Sequence, residues 1–175
     1  MKTNPITTFY VDAAFNHHTG TGGYAVIPVN RRGGVEVAQV FATGACAISS
    51  VALELQAVIT AMRRAPASLP VTIYSDCCMI ADVAARGSIK RTGAITQLWQ
   101  TFLQLLKQKA NVTIRWVRGH AEDRLNNLAD REAKRAAKAY AKSIADNAIA
   151  HARHSTAVMG SSRSGRTTDC FECVA

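Results

Sequence analysis

The sequence predicts an α/β fold in which a five-stranded mixed sheet is flanked by helices. Three strand-like segments in succession occupy the first part of the chain, which favours an antiparallel meander. Helical segments then alternate with two further β-branched segments, and strands connected through helices lie parallel. The chain has 175 residues and is 48% hydrophobic, so it can bury a core within one domain.

The first three strands are predicted at residues 7–15, 24–29 and 35–41. The first segment is rich in aromatic and β-branched residues, and a turn rich in Gly, His and Thr follows it at 16–23. The sequence Asn-Arg-Arg-Gly-Gly at 30–34 is typical of a hairpin turn. The third segment alternates apolar and polar residues, as a half-buried strand does.

The remainder of the chain alternates helices with strands. The first long helix has Ser49 or Ser50 as its predicted N-cap, and Pro66 ends it. The later predicted elements are a strand at 70–75, a short helix at 79–85 closed by Gly87, an amphipathic helix at 95–109, a strand at 112–117 and a basic helix from Leu125 to about Ala150.

Composition narrows the class of protein and its partners. The chain carries 21 basic and 12 acidic residues, a net charge of +9, which favours a polyanion such as nucleic acid about as much as a solvated basic surface. No apolar run reaches membrane-spanning length, and the N-terminus lacks an apolar signal core. Five cysteines, an odd number, fit reduced thiols better than a disulfide framework. We therefore expect a cytoplasmic protein with no membrane partner.

The C-terminal segment differs in composition from the rest. From about Ser155 the chain is rich in Ser, Thr, Arg and Gly, so residues 151–175 are predicted to form a flexible tail after a domain at 1–150. The tail holds two His and two Cys residues that could bind zinc. A lone Cys-x-x-Cys at a terminus is a weak signal, and we favour thiols without a metal.

A carboxylate on an apolar helix raises the question of what meets its charge. Glu54 shares a helical stripe with Val51, Val58 and Ala61, and burying an unpaired carboxylate costs several kcal/mol or forces protonation. Three further acids lie on elements that are expected to pack around one end of the sheet. They are Asp12 in the first strand, Asp76 at the end of the fourth and Asp130 in the last helix.

Acids crowded together in this way repel one another unless cations hold them. Mg²⁺ binds through a few carboxylates and substrate phosphate, and two such ions support phosphodiester cleavage. Taken singly, Asp12 could bond a turn, Asp76 could cap the next helix and Asp130 could be exposed. Taken together and in this order, they favour a magnesium site.

Four motifs carry a resemblance to a known family. They are Tyr10-Val-Asp-Ala-Ala14, Leu53-Glu-Leu-Gln-Ala-Val58, Tyr74-Ser-Asp76, and a Gly-His loop in which His120 stands ten residues before Asp130. Residues 7–145 as a whole resemble the type 1 ribonuclease H family. On this resemblance residues 1–150 form an RNase H catalytic domain.

The resemblance implies endonucleolytic hydrolysis of the RNA strand of RNA–DNA hybrids, leaving 5′-phosphate and 3′-hydroxyl ends. It also implies two Mg²⁺ ions, for which Mn²⁺ would substitute. Asp12 would bridge the two ions, and Glu54, Asp76 and Asp130 would complete their coordination shells. Glu54 would lie near the ribose 2′-hydroxyl. His120 would assist proton movement or product release, although a loop histidine without a role is the alternative.

The resemblance also suggests substrate contacts and shows departures from the family. The expected contacts to the hybrid are Asn16, Ser49, Ser50, Asn126, Lys90 and Arg91. The basic protrusion found in many bacterial members is reduced to residues 85–93. For the basic last helix a solvated face is the favoured interpretation, and compensation through phosphate contacts is the alternative. We predict a monomer. A non-catalytic hybrid-binding module and a two-metal nuclease acting on DNA stay as alternatives.

Overall fold

A computed structural model of the chain describes residues 4–90, 93–119 and 123–161, with side chains as far as residue 150. The chain divides into two compact units, Met1–Ala141 and Lys142–Ala175. The sheet and the candidate site lie in the first unit. In the second unit the described residues 142–161 are helical.

A five-stranded sheet forms the centre of the first unit, with strand order β3-β2-β1-β4-β5. Its strands are β1 (Ile6–Asn16), β2 (Thr21–Asn30), β3 (Phe41–Cys46), β4 (Val71–Ser75) and β5 (Val112–Trp116). β1, β2 and β3 pair antiparallel, whereas β4 pairs parallel with both β1 and β5. The predicted five-stranded mixed sheet is confirmed.

Four helices accompany the strands in the described residues: α1 (Ser50–Arg64), α2 (Cys78–Arg86), α3 (Thr96–Gln108) and α4 (Arg124–Ser161). Ser49 caps α1, because its side chain accepts a hydrogen bond from the Ala52 amide. Gly87 ends α2 in the left-handed conformation, with φ of 65°. α4 continues to Ser161, beyond the predicted end near Ala150. The predicted domain boundary at 150 stays a prediction.

The third strand lies later in the chain than the sequence predicts. The alternating pattern predicts this strand at residues 35–41, but the structure has a 3-10 helix at Val37–Gln39 and begins β3 at Phe41. Pro28 explains the shift. The Pro28 carbonyl oxygen accepts a hydrogen bond from the Glu36 amide. The backbone nitrogen of Pro28 faces the same segment, but a proline nitrogen has no hydrogen to donate. The ladder is therefore reduced there to an isolated bridge between Val29 and Val35.

The sheet is covered on both faces. α1 and α3 pack on one face over a large core that includes Phe9, Val11 and Ile73. α4 packs on the other face, where Ala129 meets Ile27 and Val29. At Gly23 and Gly44 a Cβ atom would collide with α4, so these two glycines set the close approach of α4 to β2 and β3.

Among the described helices, none combines the length and apolar character that crossing a membrane requires.

Candidate active site

Three of the predicted acids come together at one end of the sheet. Carboxylate oxygens of Asp12, Glu54 and Asp76 all lie within 4.8 Å of one another. The parallel register pairs Val11 of β1 with Ser75 of β4. The next residue of each strand segment is therefore an aspartate at the same level of the sheet. Glu54 reaches the same point from the second turn of α1.

Burial makes this cluster electrostatically costly. Asp12 is 4% exposed and Glu54 is 9% exposed. The Ala13 amide donates to Asp12 Oδ1 at 2.6 Å and to Glu54 Oε1 at 3.2 Å. The second oxygen of Glu54 is buried and has no hydrogen-bond partner among the described residues. Backbone donors therefore meet only part of the negative charge.

The pKa values of both buried acids are raised for this reason. The pKa of Glu54 is raised to about 9, mainly by burial and secondly by the charges of the nearby Asp12 and Asp76 carboxylates. Burial, followed by the charge of Asp76, raises the pKa of Asp12 to about 7, although the Ala13 amide opposes the rise. Without a cation, the cluster favours holding protons at neutral pH.

The end of β5 and the residues after it lie close to Asp76. The Trp116 indole Nε1 donates to the Asp76 carbonyl oxygen at 3.0 Å, and the Val117 amide donates to the Ser75 carbonyl oxygen at 3.0 Å. A Cβ atom at Gly119 would lie 2.5 Å from Asp76 Oδ2. A side chain at this position would therefore displace either the carboxylate or the loop. Sequence reasoning did not single out Gly119, although the Gly-His pair in the loop was a signal for it.

Asp130 lies beside the cluster and outside the set of three acids. It is on α4 and forms an ion pair with Lys134, at 2.8 Å between Nζ and Oδ2. Its charge still contributes to the raised pKa of Asp12. The predicted group of four acids is thus three that meet closely and a fourth that is near enough to repel Asp12.

The predicted substrate contacts occupy varied positions. Ser49 Oγ is engaged as the cap of α1, at 3.2 Å from the Ala52 amide. Asn16 is exposed, and its Oδ1 accepts from the His18 amide at 2.9 Å. Ser50 is exposed at the start of α1.

The other predicted contacts include a buried amide and an exposed lysine. Asn126 is 2% exposed, and its Oδ1 has no partner among the described residues. Lys90 is exposed and lines a groove of ≈ 370 Å³ with Met79 and Arg86. Arg91 and the predicted catalytic His120 lie outside the described residues.

The donor set fits a hard divalent cation. Three carboxylates supply oxygen ligands, which Mg²⁺ and Mn²⁺ prefer over nitrogen or sulfur. The Glu54 oxygen that has no hydrogen-bond partner among the described residues is available to such a cation. A bound cation would meet the negative charge that the backbone leaves unmatched.

A family model described as RNase H matches residues 4–138 of this sequence. The chain belongs to the RNase H family. Among curated proteins, it is 28% identical to a Ribonuclease H of Trichodesmium erythraeum over 143 residues, covering 75% of this chain and 88% of that protein. It is 27% identical to a Ribonuclease HI of Synechocystis, covering 71% of this chain and 82% of the relative. The predicted enzyme class, ribonuclease H, is confirmed.

Solved structures with the same fold include the protease–reverse transcriptase of prototype foamy virus. One match has a TM-score of 0.61 at 20% identity and covers 74% of this chain. A second, a foamy viral protease–reverse transcriptase in complex with an RNA/DNA hybrid, has a TM-score of 0.64 at 17% identity and covers 77% of this chain. The RNase H chain spans about a fifth of the length of each viral protein, and the likeness concerns the fold.

Proposed function

We propose that this RNase H family member hydrolyses the RNA strand of RNA–DNA hybrids and leaves 5′-phosphate and 3′-hydroxyl ends. The observation that carries the proposal is the buried cluster of Asp12, Glu54 and Asp76 in a chain matched by the RNase H model over residues 4–138. The curated relatives are named ribonuclease H, and one structural neighbour holds an RNA/DNA hybrid. Both facts favour the same substrate.

The proposed cofactor is Mg²⁺, two ions per site, with Mn²⁺ as a substitute. Asp12, Glu54 and Asp76 would hold them, and Asp130 would join as a ligand from α4. When bound, such ions stabilise the charge that develops on the attacking and leaving oxygens of a phosphodiester. Deprotonation of Asp12 and Glu54 must accompany binding, since their pKa values are raised in the metal-free protein.

The rest of the proposed mechanism belongs to side chains around the cluster. Lys134, Arg135 and Lys138 are exposed on α4 and would contact backbone phosphates without reading sequence. His120 is proposed to move a proton or to assist product release. Glu54 is proposed to lie against the 2′-hydroxyl that distinguishes RNA from DNA. The proposed hybrid contacts remain Asn16, Ser49, Ser50, Asn126, Lys90 and Arg91, and a monomer remains the predicted state.

A cleavage assay tests the proposal directly. A hybrid with labelled RNA is incubated with Mg²⁺ and with wild type, Asp12→Asn or Asp82→Asn. Asp82 is an exposed residue of α2 and serves as a matched control for the same chemical change. We expect wild type and Asp82→Asn to cleave the hybrid. In Asp12→Asn the cleavage rate should fall roughly a thousandfold, because the transition state loses several kcal/mol of charge stabilisation.

The outcomes separate the alternatives. An intact hybrid in the presence of wild type, with binding retained, would favour a non-catalytic hybrid-binding module. Cleavage of duplex or single-stranded DNA at a rate equal to that of the hybrid would favour a DNA nuclease on the same fold.

A further inference from the structure

Trp116 is a large aromatic side chain that the fold leaves open to solvent. It is the last residue of β5 and is 53% exposed, whereas the other tryptophan, Trp99, is 2% exposed in the core. Aromatic side chains carry much of the apolar contact area in protein cores and interfaces. The half-exposed indole therefore offers ring surface that a ligand can cover.

The indole is held next to the acidic cluster. β5 pairs with β4 so that Trp116 lies opposite Ser75, the residue before Asp76. The indole Nε1 then donates to the main-chain oxygen of Asp76 at 3.0 Å. This bond ties one edge of the ring to the backbone of a cluster residue, while the ring remains accessible. A ring fixed before binding loses little conformational entropy when a ligand packs on it.

The chemistry of the surrounding segment indicates the kind of ligand. Arg118, two residues after the tryptophan, is exposed, whereas the neighbouring Arg115 lies on the opposite face of β5. The segment 112–119 contains no acidic residue. An aromatic ring with a cation close to it is a combination that binds nucleic acid, since the ring packs on a base or sugar and the cation meets a phosphate.

We propose that Trp116 is a substrate-binding residue whose indole packs on a nucleotide of the RNA–DNA hybrid, next to the phosphodiester that reaches Asp12, Glu54 and Asp76. This inference rests on the proposed function and adds a contact to it. The ring holds the hybrid in register with the acidic cluster, and Arg118 contacts the adjoining backbone.

Fluorescence tests the contact without relying on catalysis, because the chain has two tryptophans of opposite exposure. Acrylamide quenching is measured with wild type and with Trp116→Phe, in EDTA so that the hybrid stays intact. In wild type, a saturating RNA–DNA hybrid is expected to lower the quenching constant to nearly that of Trp116→Phe. In Trp116→Phe, where Trp99 alone emits, the hybrid should change little. An unchanged quenching constant in hybrid-saturated wild type would overturn the inference.

Kinetics test whether the contact serves binding. Trp116→Ala is expected to raise KM for the hybrid by about fivefold to a hundredfold, the range for loss of a base–aromatic contact, with kcat within about twofold. Trp116→Phe should restore much of the affinity because it keeps a ring. Val37→Ala removes another exposed apolar side chain, 78% exposed and in the 3-10 helix that precedes β3, and should leave KM unchanged.

The two claims fail in different ways. Cleavage with normal KM in Trp116→Ala would overturn the contact and leave the ribonuclease activity standing. Shielding of Trp116 by a hybrid that wild type does not cleave would support the contact and contradict the activity.

Discussion

Glu54 is buried beside two other carboxylates, and its environment determines how the metal-free protein responds to pH. Burial is the main reason that its pKa is about 9 in the folded chain, against about 4.3 in an unfolded one. The pKa of Asp12 is also raised in the folded chain, to about 7. Between these folded and unfolded values the folded state binds more protons, so its stability falls as pH rises.

We therefore predict that the melting temperature in EDTA falls between about pH 4.5 and pH 9. Glu54→Gln removes the titrating group and should reduce this slope. It should also raise the melting temperature at pH 8 by at least about 2 °C, which is worth about 1 kcal/mol in a chain of this size. Thermal unfolding followed by circular dichroism across this pH range measures both effects. An equally steep slope in Glu54→Gln would contradict the buried charge as its cause.

Gly119 offers a second test at the level of one atom. A Cβ at this position would lie 2.5 Å from Asp76 Oδ2, so Gly119→Ala must displace the carboxylate or the loop. We predict a loss of cleavage of at least about tenfold, equivalent to about 1.4 kcal/mol in the transition state, and weaker Mg²⁺ activation. Gly34→Ala, where a Cβ would meet only the Asn30 side chain, is the control and should cleave normally.

At the scale of the element, α1 carries Glu54 and depends on its cap. Ser49 Oγ accepts from the Ala52 amide, whereas Ser50 is the first helical residue. Ser49→Ala should lower the free energy of unfolding by about 1 kcal/mol, which corresponds to about 2–4 °C. Ser50→Ala should have a smaller effect, as seen in paired melting curves. Equal losses in the two variants would show that the cap is not what stabilises α1.

Three elements show what local patterns can and cannot predict. The N-cap of α1 and the Gly87 end of α2 follow from short-range chemistry, and both were predicted. The prediction places β3 too early because the alternation at 35–41 resembles a strand. The deciding feature is Pro28, which has no backbone N–H to donate to residues 35–41 although it faces them. Local alternation does not reveal which neighbour a proline will face.

At the scale of the whole molecule, the positive charge should govern affinity for the hybrid. The net charge is +9, and phosphate contacts release counterions on binding. For about four such contacts, affinity should fall by roughly a hundredfold between 50 and 200 mM salt. Fluorescence anisotropy of a labelled hybrid in EDTA measures this slope. Affinity that is insensitive to salt would exclude a binding mode based on backbone phosphates.

The candidate site was predictable to the extent that it depends on residue type and element order. Asp12, Glu54 and Asp76 were predicted because each is a charge in an apolar setting at the end of the sheet where such elements meet. The ion pair of Asp130 with Lys134, the passage of Gly119 against Asp76 and the bond that holds Trp116 depend on tertiary distances. No spacing in the sequence encodes those distances. The roles assigned to these residues remain proposals.

Calorimetric titration of the metal-free protein with Mg²⁺ at pH 8, beside Asp12→Asn and the Asp82→Asn control, tests the central claim most directly. We predict binding heat in wild type and Asp82→Asn, proton release that depends on the buffer because Asp12 and Glu54 must ionise, and loss of both signals in Asp12→Asn. Equal Mg²⁺ uptake by Asp12→Asn, or none by wild type, would contradict a cation site at these carboxylates.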